Sequence, residues 1–250
     1  MLSGKVAIVT GAGRGIGKEA ALNLAKSGAC LIINDIDTEA ANETSRELAG
    51  LGCKVVVWSG DVSVSDTTQR LREIIDRDFG RVDILINNAG GGRGLTTGFL
   101  EMSEEEWDTQ IRVNLKSVFL CCKAVIGYMV RQKCGRIINI SSTAALRGGG
   151  LRGTSGYATA KAGVIGLTKA LAREFAKYNI TAVALAPGYH QTPMHHDLGP
   201  TDYQRIIESI PLKRPGNPTD LGKIIAFLAS DAASYINGTV ITIDGGFTMN

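Results

Sequence analysis

Short, almost wholly apolar runs rich in β-branched residues alternate along the chain with longer stretches of helical periodicity. The apolar runs are KVAIVT (5–10), CLIIN (30–34), KVVVW (54–58), DILIN (83–87), RIINIS (136–141), ITAVALA (180–186) and TVITI (239–243). So little polar alternation predicts strands covered on both faces, as in parallel sheets. Helical periodicity falls near 15–27, 38–49, 65–78, 104–131, 156–178 and 218–230. Ser103 followed by Glu106 spells a capping box, and Asn217 sets an N-cap ahead of first-turn Pro218. The alternation predicts an α/β fold: a Rossmann-like, doubly wound, seven-stranded parallel sheet with helices on both faces. No linker or repeat interrupts it, so residues 1–250 are expected to form a single domain. The rhythm breaks between Pro187 and Pro215, which holds five of the six prolines. This segment follows a strand, and open α/β sheets bind ligands beyond the carboxyl ends of their strands, so a substrate lid is expected at about 189–215.

Composition narrows the classes. The net charge is +3, with basic residues scattered rather than clustered, which leaves no footprint for nucleic acid. No apolar stretch approaches the roughly 20 residues that span a bilayer. The opening MLSGKVAIVTGAG lacks the pattern of a signal peptide, so a cytoplasmic setting is expected. Cys30, Cys53, Cys121, Cys122 and Cys134 form no C-x-x-C pair and read as reduced thiols. His195 and His196 have no partners at metal-ligand spacing, so no metal site is expected.

Two stretches carry chemistry. VTGAGRGIGKEAA runs from the first strand into the first helix, where glycines and unpaired N–H groups can cradle a pyrophosphate. The common G-x-G-x-x-G register fails at Ile16; the pattern present is T-G-x-x-x-G-x-G, from Thr10, Gly11, Gly15 and Gly17. In SGYATAKAG, Tyr157 and Lys161 stand four residues apart on one helix face. An ammonium about 5 Å from a phenol, at an effective dielectric of about 20, favours phenolate by roughly 3 kcal/mol. Tyr157 is thus expected to ionise more readily than usual and to act as general base or acid.

With TGAGRGIG, GDV (60–62), NNAG (87–90), Asn114 in VNL, NISS (139–142), YATAK (157–161) and PGYHQTPM (187–194), the chain resembles the short-chain dehydrogenase/reductase family over its whole length. The resemblance implies a nicotinamide cofactor and a catalytic set of Asn114, Ser142, Tyr157 and Lys161. It implies cofactor contacts from Gly11, Gly13, Arg14, Gly15, Ile16, Gly17, Asp61, Val62, Asn88, Ala89, Gly90, Tyr157, Lys161, Pro187, Gly188 and Thr192. Asp61 and Val62 would hold the adenine, and Pro187, Gly188 and Thr192 the nicotinamide end. Ser142 would hydrogen-bond the substrate oxygen; Asn114 would help hold a water linking Lys161 to solvent. Asp35 ends the second strand 24 residues after Gly11, where a carboxylate accepts from ribose hydroxyls and repels a 2′-phosphate. Arg14 resembles members that bind NADP, unless it faces solvent or pairs with Asp35. NAD is expected, with NADP the alternative.

The expected partner is a small alcohol or ketone, or an acyl-thioester. Arg93, Arg147 and Arg152 lie in glycine-rich loops that leave strand ends, and either favour an anionic substrate or are plain loop charges. His190 either touches substrate or faces solvent on the lid. The family's usual assembly implies a homotetramer or homodimer, and Ala158, Ala162, Gly166 and Ala170 offer a small-residue helix face. The competing readings are an NADPH-dependent 3-oxoacyl reductase and, in another class, a non-catalytic dinucleotide sensor or scaffold.

Overall fold

The computed structural model describes residues 2–91, 98–149, 155–192 and 199–249. Its core is one seven-stranded parallel sheet: β1 (Val6–Thr10), β2 (Cys30–Asp35), β3 (Val55–Ser59), β4 (Ile84–Asn87), β5 (Gly135–Ile140), β6 (Ile180–Pro187) and β7 (Val240–Ile243). The spatial order is β3-β2-β1-β4-β5-β6-β7. All residues of β1, β4 and β5 are buried, as their unbroken apolar runs require. One face packs residues such as Ile8, Val125 and Ile137; the other packs Val9, Ile33 and Ile138.

The helices between them are α1 (Gly15–Lys26), α2 (Thr38–Gly50), α3 (Ser65–Asp78), α4 (Glu104–Ile111), α5 (Ser117–Gln132), α6 (Ala144–Arg147), α7 (Ser155–Phe175), α8 (Pro200–Ser209) and α9 (Pro218–Leu228). Both expected caps form: Ser103 and Glu106 close a capping box on α4, Asn217 and Asp220 one on α9.

Three features depart from the sequence reading. The periodic stretch 104–131 is not one regular helix, because a π-turn at Arg112–Lys116 separates α4 from α5. There the Ser117 N–H reaches five residues back to the Arg112 carbonyl, and its hydroxyl donates to the Val113 carbonyl at 2.6 Å. The proline-rich excursion holds a helix of its own, α8, started by Gly199 and by Pro200 in its first turn. The short helix α6 directly follows Ser142 and ends at Gly148 in the left-handed region. The run Glu104–Gln132 is long and apolar enough to cross a membrane by length and composition; half of its most apolar window is buried within the fold.

Strand order reverses between β1, which continues to β2, and β4, which continues to β5. The crevice at that switch point, beyond the carboxyl ends of the strands, is where open α/β sheets place ligands. Every motif that carries chemistry lies at this end.

Candidate active site

At the turn from β1 to α1, Gly11 and Gly15 have φ of +63° and +57°, which only glycine adopts without strain. Gly17 lies so close that a Cβ there would collide with the Gly11 carbonyl. A Cβ on Gly13 would stand 2.8 Å from the Asp35 carboxylate. The turn is tied to the NNAG segment: Thr10 Oγ1 accepts from the N–H groups of Asn88 and Ala89, both at 3.0 Å. Asn88 Nδ2 returns bonds to the carbonyls of Thr10 and Gly11. Ile16 is half-buried and packs on the core beneath.

Asp35 stands at the end of β2 and accepts from the Gly13 N–H at 2.8 Å and the Asp37 N–H at 3.0 Å. Arg14 does not pair with Asp35. Its guanidinium meets Asp37, a residue that sequence reasoning passed over. Asp37 also caps α2 by accepting from the Ala40 N–H, and that bond leads the causes that hold its carboxyl below the usual range. Further along, Asp61 is bound by the N–H and hydroxyl of Ser63 and by Arg112, beside buried Val62.

The catalytic candidates converge from β5, α7 and the π-turn. Of the two adjacent serines, Ser141 is buried: its N–H bonds the Leu185 carbonyl and its hydroxyl the Lys161 carbonyl. Ser142 turns the other way and hydrogen-bonds Tyr157. Lys161, only 4% exposed, donates to the Ile140 carbonyl at 2.8 Å, with Nζ 5.8 Å from the Tyr157 ring centre. A Cβ on Gly90 would lie 2.8 Å from Asn114 Oδ1 and 3.2 Å from Lys161 Nζ, so this glycine keeps the space between them open.

One electrostatic expectation changes. Burial pushes the Tyr157 phenol up, and the Ser142 hydrogen bond offsets it only in part. Lys161 is instead the strongly displaced group: burial lowers it from 10.5 to about 8. The side chain of Asn114 accepts from the Gly91 N–H and donates towards the Gly91 carbonyl and both oxygens of Gln110. These bonds tie the loop after β4 to the π-turn.

Pro187 and Gly188 lead from β6 into the excursion; the Pro187 carbonyl accepts from Thr143, and a Cβ on Gly188 would strike Asp244. Thr192 is half-buried at the end of this stretch. His190 does not face solvent. It is 3% exposed, hydrogen-bonded through Nδ1 to the Gly188 carbonyl, and packed on Gly216 with no room for a Cβ there. Arg147 is exposed and stacks on the Phe247 ring at 3.9 Å. Arg93 and Arg152 lie outside the described residues, as do His195 and His196. Among the described residues no cluster of three or more His, Cys, Asp or Glu could hold a metal.

A glycine turn on an acidic strand end, facing a Ser-Tyr-Lys set across the switch point, defines a dinucleotide-dependent oxidoreductase. The family model described as enoyl-(acyl carrier protein) reductase matches residues 11–248, and the chain belongs to that family of short-chain dehydrogenases/reductases. It is 42% identical over 248 residues to the 3-oxoacyl-acyl-carrier-protein reductase FabG of Thermotoga maritima, covering 99% of both chains. Over 249 residues it is 40% identical to BbsD of Thauera aromatica, a subunit of a hydroxy(phenyl)methylsuccinyl-CoA dehydrogenase, covering 99% of this chain and 98% of that one. The crystal structure of a putative gluconate dehydrogenase from Agrobacterium tumefaciens superposes with a TM-score of 0.92 at 33% identity, covering 98% and 96%. The chain is accordingly an oxidoreductase acting on CH–OH groups, which sets aside the non-catalytic sensor or scaffold.

Proposed function

We propose that the chain is an NAD(H)-dependent dehydrogenase interconverting a secondary alcohol and a ketone on an anionic or acyl-thioester substrate, of the 3-hydroxyacyl or alicyclic hydroxyacyl type. The observation that carries the cofactor choice is the pairing of Arg14 with Asp37. It occupies the cation that would otherwise serve a 2′-phosphate and leaves Asp35 beside Gly13, placed to accept from ribose hydroxyls. A Cβ on Gly11, Gly13 or Gly17 would strike neighbouring protein atoms, so only glycines let the turn close at the head of α1, in the form that fits a dinucleotide's pyrophosphate. When bound, that group supplies the hydride acceptor or donor.

The chain's own residues handle the proton. Tyr157 takes it from the alcohol in oxidation and returns it to the carbonyl oxygen in reduction. Ser142, bonded to Tyr157, donates to the same substrate oxygen as charge develops on it. With its pKa at about 8, Lys161 is an ammonium in most molecules at pH 7 and stabilises a phenolate transiently formed beside it. Asn114 and Gly90 keep the wall between Lys161 and the loop after β4 in register.

The acyl-thioester class is supported by the names of the Thermotoga and Thauera relatives. Arg147, the last residue of α6, stacks on Phe247 and offers a cation for the substrate's distal anion. The excursion with α8 acts as the lid, its two ends joined where His190 bridges Gly216. Exposed Ala162, Gly166 and Ala170 on α7, with Phe119 nearly half-exposed on α5, support a homotetramer or homodimer. A cytoplasmic setting fits the five free thiols. The second reading is an NADPH-dependent 3-oxoacyl-acyl-carrier-protein reductase, favoured by the identity to the Thermotoga enzyme. Steady-state turnover of a 3-oxoacyl thioester with NADH and with NADPH tests the choice. Faster turnover with NADH is expected; a clear NADPH preference would replace the first reading with the second.

A further inference from the structure

Arg112, which opens the π-turn, belongs to no motif named above. Its Nη1 lies 3.0 Å from Asp61 Oδ2 and 2.7 Å from the Ser63 hydroxyl. Ser63 in turn gives Asp61 Oδ1 two hydrogen bonds, at 2.8 Å from its N–H and 2.6 Å from its hydroxyl. The carboxylate is therefore fixed on both oxygens, and Arg112 also braces the Ser63 hydroxyl that donates to it. Two residues on, Asn114 reaches the other way, exchanging a pair of hydrogen bonds of 3.0 Å with Gly91. One widened turn of helix thus grips the loop after β3 with one side chain and the loop after β4 with another.

We propose that Arg112 is a positioning residue for the dinucleotide: it holds Asp61 ready for the adenine end and, through the π-turn, ties occupancy of that end to the segment carrying Asn114. The inference rests on the cofactor reading above and concerns Arg112, which that reading leaves unassigned. As a stabilising ion pair Arg112–Asp61 has little weight, since the side chains are 43% and 34% exposed. Its three-way bonding gives it orientation instead. Burial acts to raise the Asp61 carboxyl, but Ser63 and Arg112 more than offset it and keep the group ionised.

The test uses ADP-ribose, which carries the adenine end and no nicotinamide, on the intact chain and its Arg112→Met and Arg112→Lys variants. Calorimetric titration should show about fivefold weaker binding in Arg112→Met, partly restored in Arg112→Lys. The melting temperature of the free protein should stay within about 2 °C. Hydrogen exchange should show ADP-ribose protecting residues 112–116 in the wild type and failing to protect them in Arg112→Met. Equal affinity in wild type and Arg112→Met overturns the proposal, and so does a loss of affinity that tracks a large fall in the free protein's melting temperature. Unchanged protection of the π-turn in Arg112→Met also overturns it. If the wild type binds neither ADP-ribose nor NADH, the cofactor reading itself has failed, and the proposal with it.

Discussion

Replacing Lys161 with methionine removes a buried cation while keeping most of the side chain's length. Lys161 is 4% exposed, and burial lowers its pKa from 10.5 in water to about 8 in the fold. Between those two values the unfolded chain holds the proton and the folded chain has released it. Stability therefore rises with pH across that window as the cost of burying the charge disappears. The shift corresponds to about 3 kcal/mol, at about 1.4 kcal/mol for each pH unit. Below pH 8 both states are protonated and the wild type carries the whole cost; above 10.5 both are neutral and it carries none. Methionine never carries it. The variant leaves the Ile140 carbonyl without its donor, a loss that does not depend on pH. The difference in melting temperature between Lys161→Met and wild type should thus move in favour of the wild type by about 6–12 °C as pH rises from 7.5 to 10.5. Differential scanning fluorimetry in matched buffers reads this directly. A difference that stays flat across the range would mean that Lys161 titrates in the fold as it does in water, and the argument from burial would be wrong.

Other expectations follow from the same geometry. Asp37→Asn keeps an acceptor for the Ala40 N–H but releases Arg14, so the ratio of kcat/KM for NADPH over NADH should rise about threefold to fivefold; an unchanged ratio would show that the Arg14–Asp37 pair has no part in cofactor choice. Tyr157→Phe should abolish turnover and leave NADH binding, followed by nicotinamide fluorescence, nearly as it was. Ser142→Ala should cost about 100-fold to 1000-fold in kcat, in single-turnover measurements, by losing the donor to the substrate oxygen. Gly17→Ala should abolish NADH binding, because the new methyl collides with the Gly11 carbonyl in the turn.

What was legible in the sequence is what a linear pattern can carry. The seven strands follow from runs such as CLIIN and ITAVALA, and their ends fall within about a residue of expectation because Gly, Asn and Asp bound them. Prolines obscured α8: Pro200 reads as a breaker in a proline-rich stretch, yet after Gly199 it occupies the first turn and starts the helix. The π-turn was invisible because one inserted residue leaves the apolar spacing of both flanks intact. At the site, the catalytic side chains could be named but their environment could not. The spacing of Tyr157 and Lys161 suggests an ammonium tuning a phenol; the depth at which both sit decides instead that Lys161 is displaced most. Asp37 and Arg112 escaped notice because each acts on a residue far away in the chain, Arg14 and Asp61. The resemblance singles out Ser142 over Ser141, and the bond from the Ser141 hydroxyl to the Lys161 carbonyl supplies the physical reason.

The bridge between His190 and Gly216 has a consequence for how such a chain can diversify. The Gln191 N–H bonds the Gly216 carbonyl and the Gly216 N–H bonds the Tyr189 carbonyl, so the excursion is fastened at its base, with a second tie where the Leu212 N–H bonds the Gly245 carbonyl. Closing a loop that is already pinned at its base costs little more as it lengthens. A stretch from a relative with another substrate can then be spliced between these two points as an exchangeable cassette. The sheet, the glycine turn and the Tyr157–Lys161 pair would be inherited unchanged, and new specificities would need no new fold.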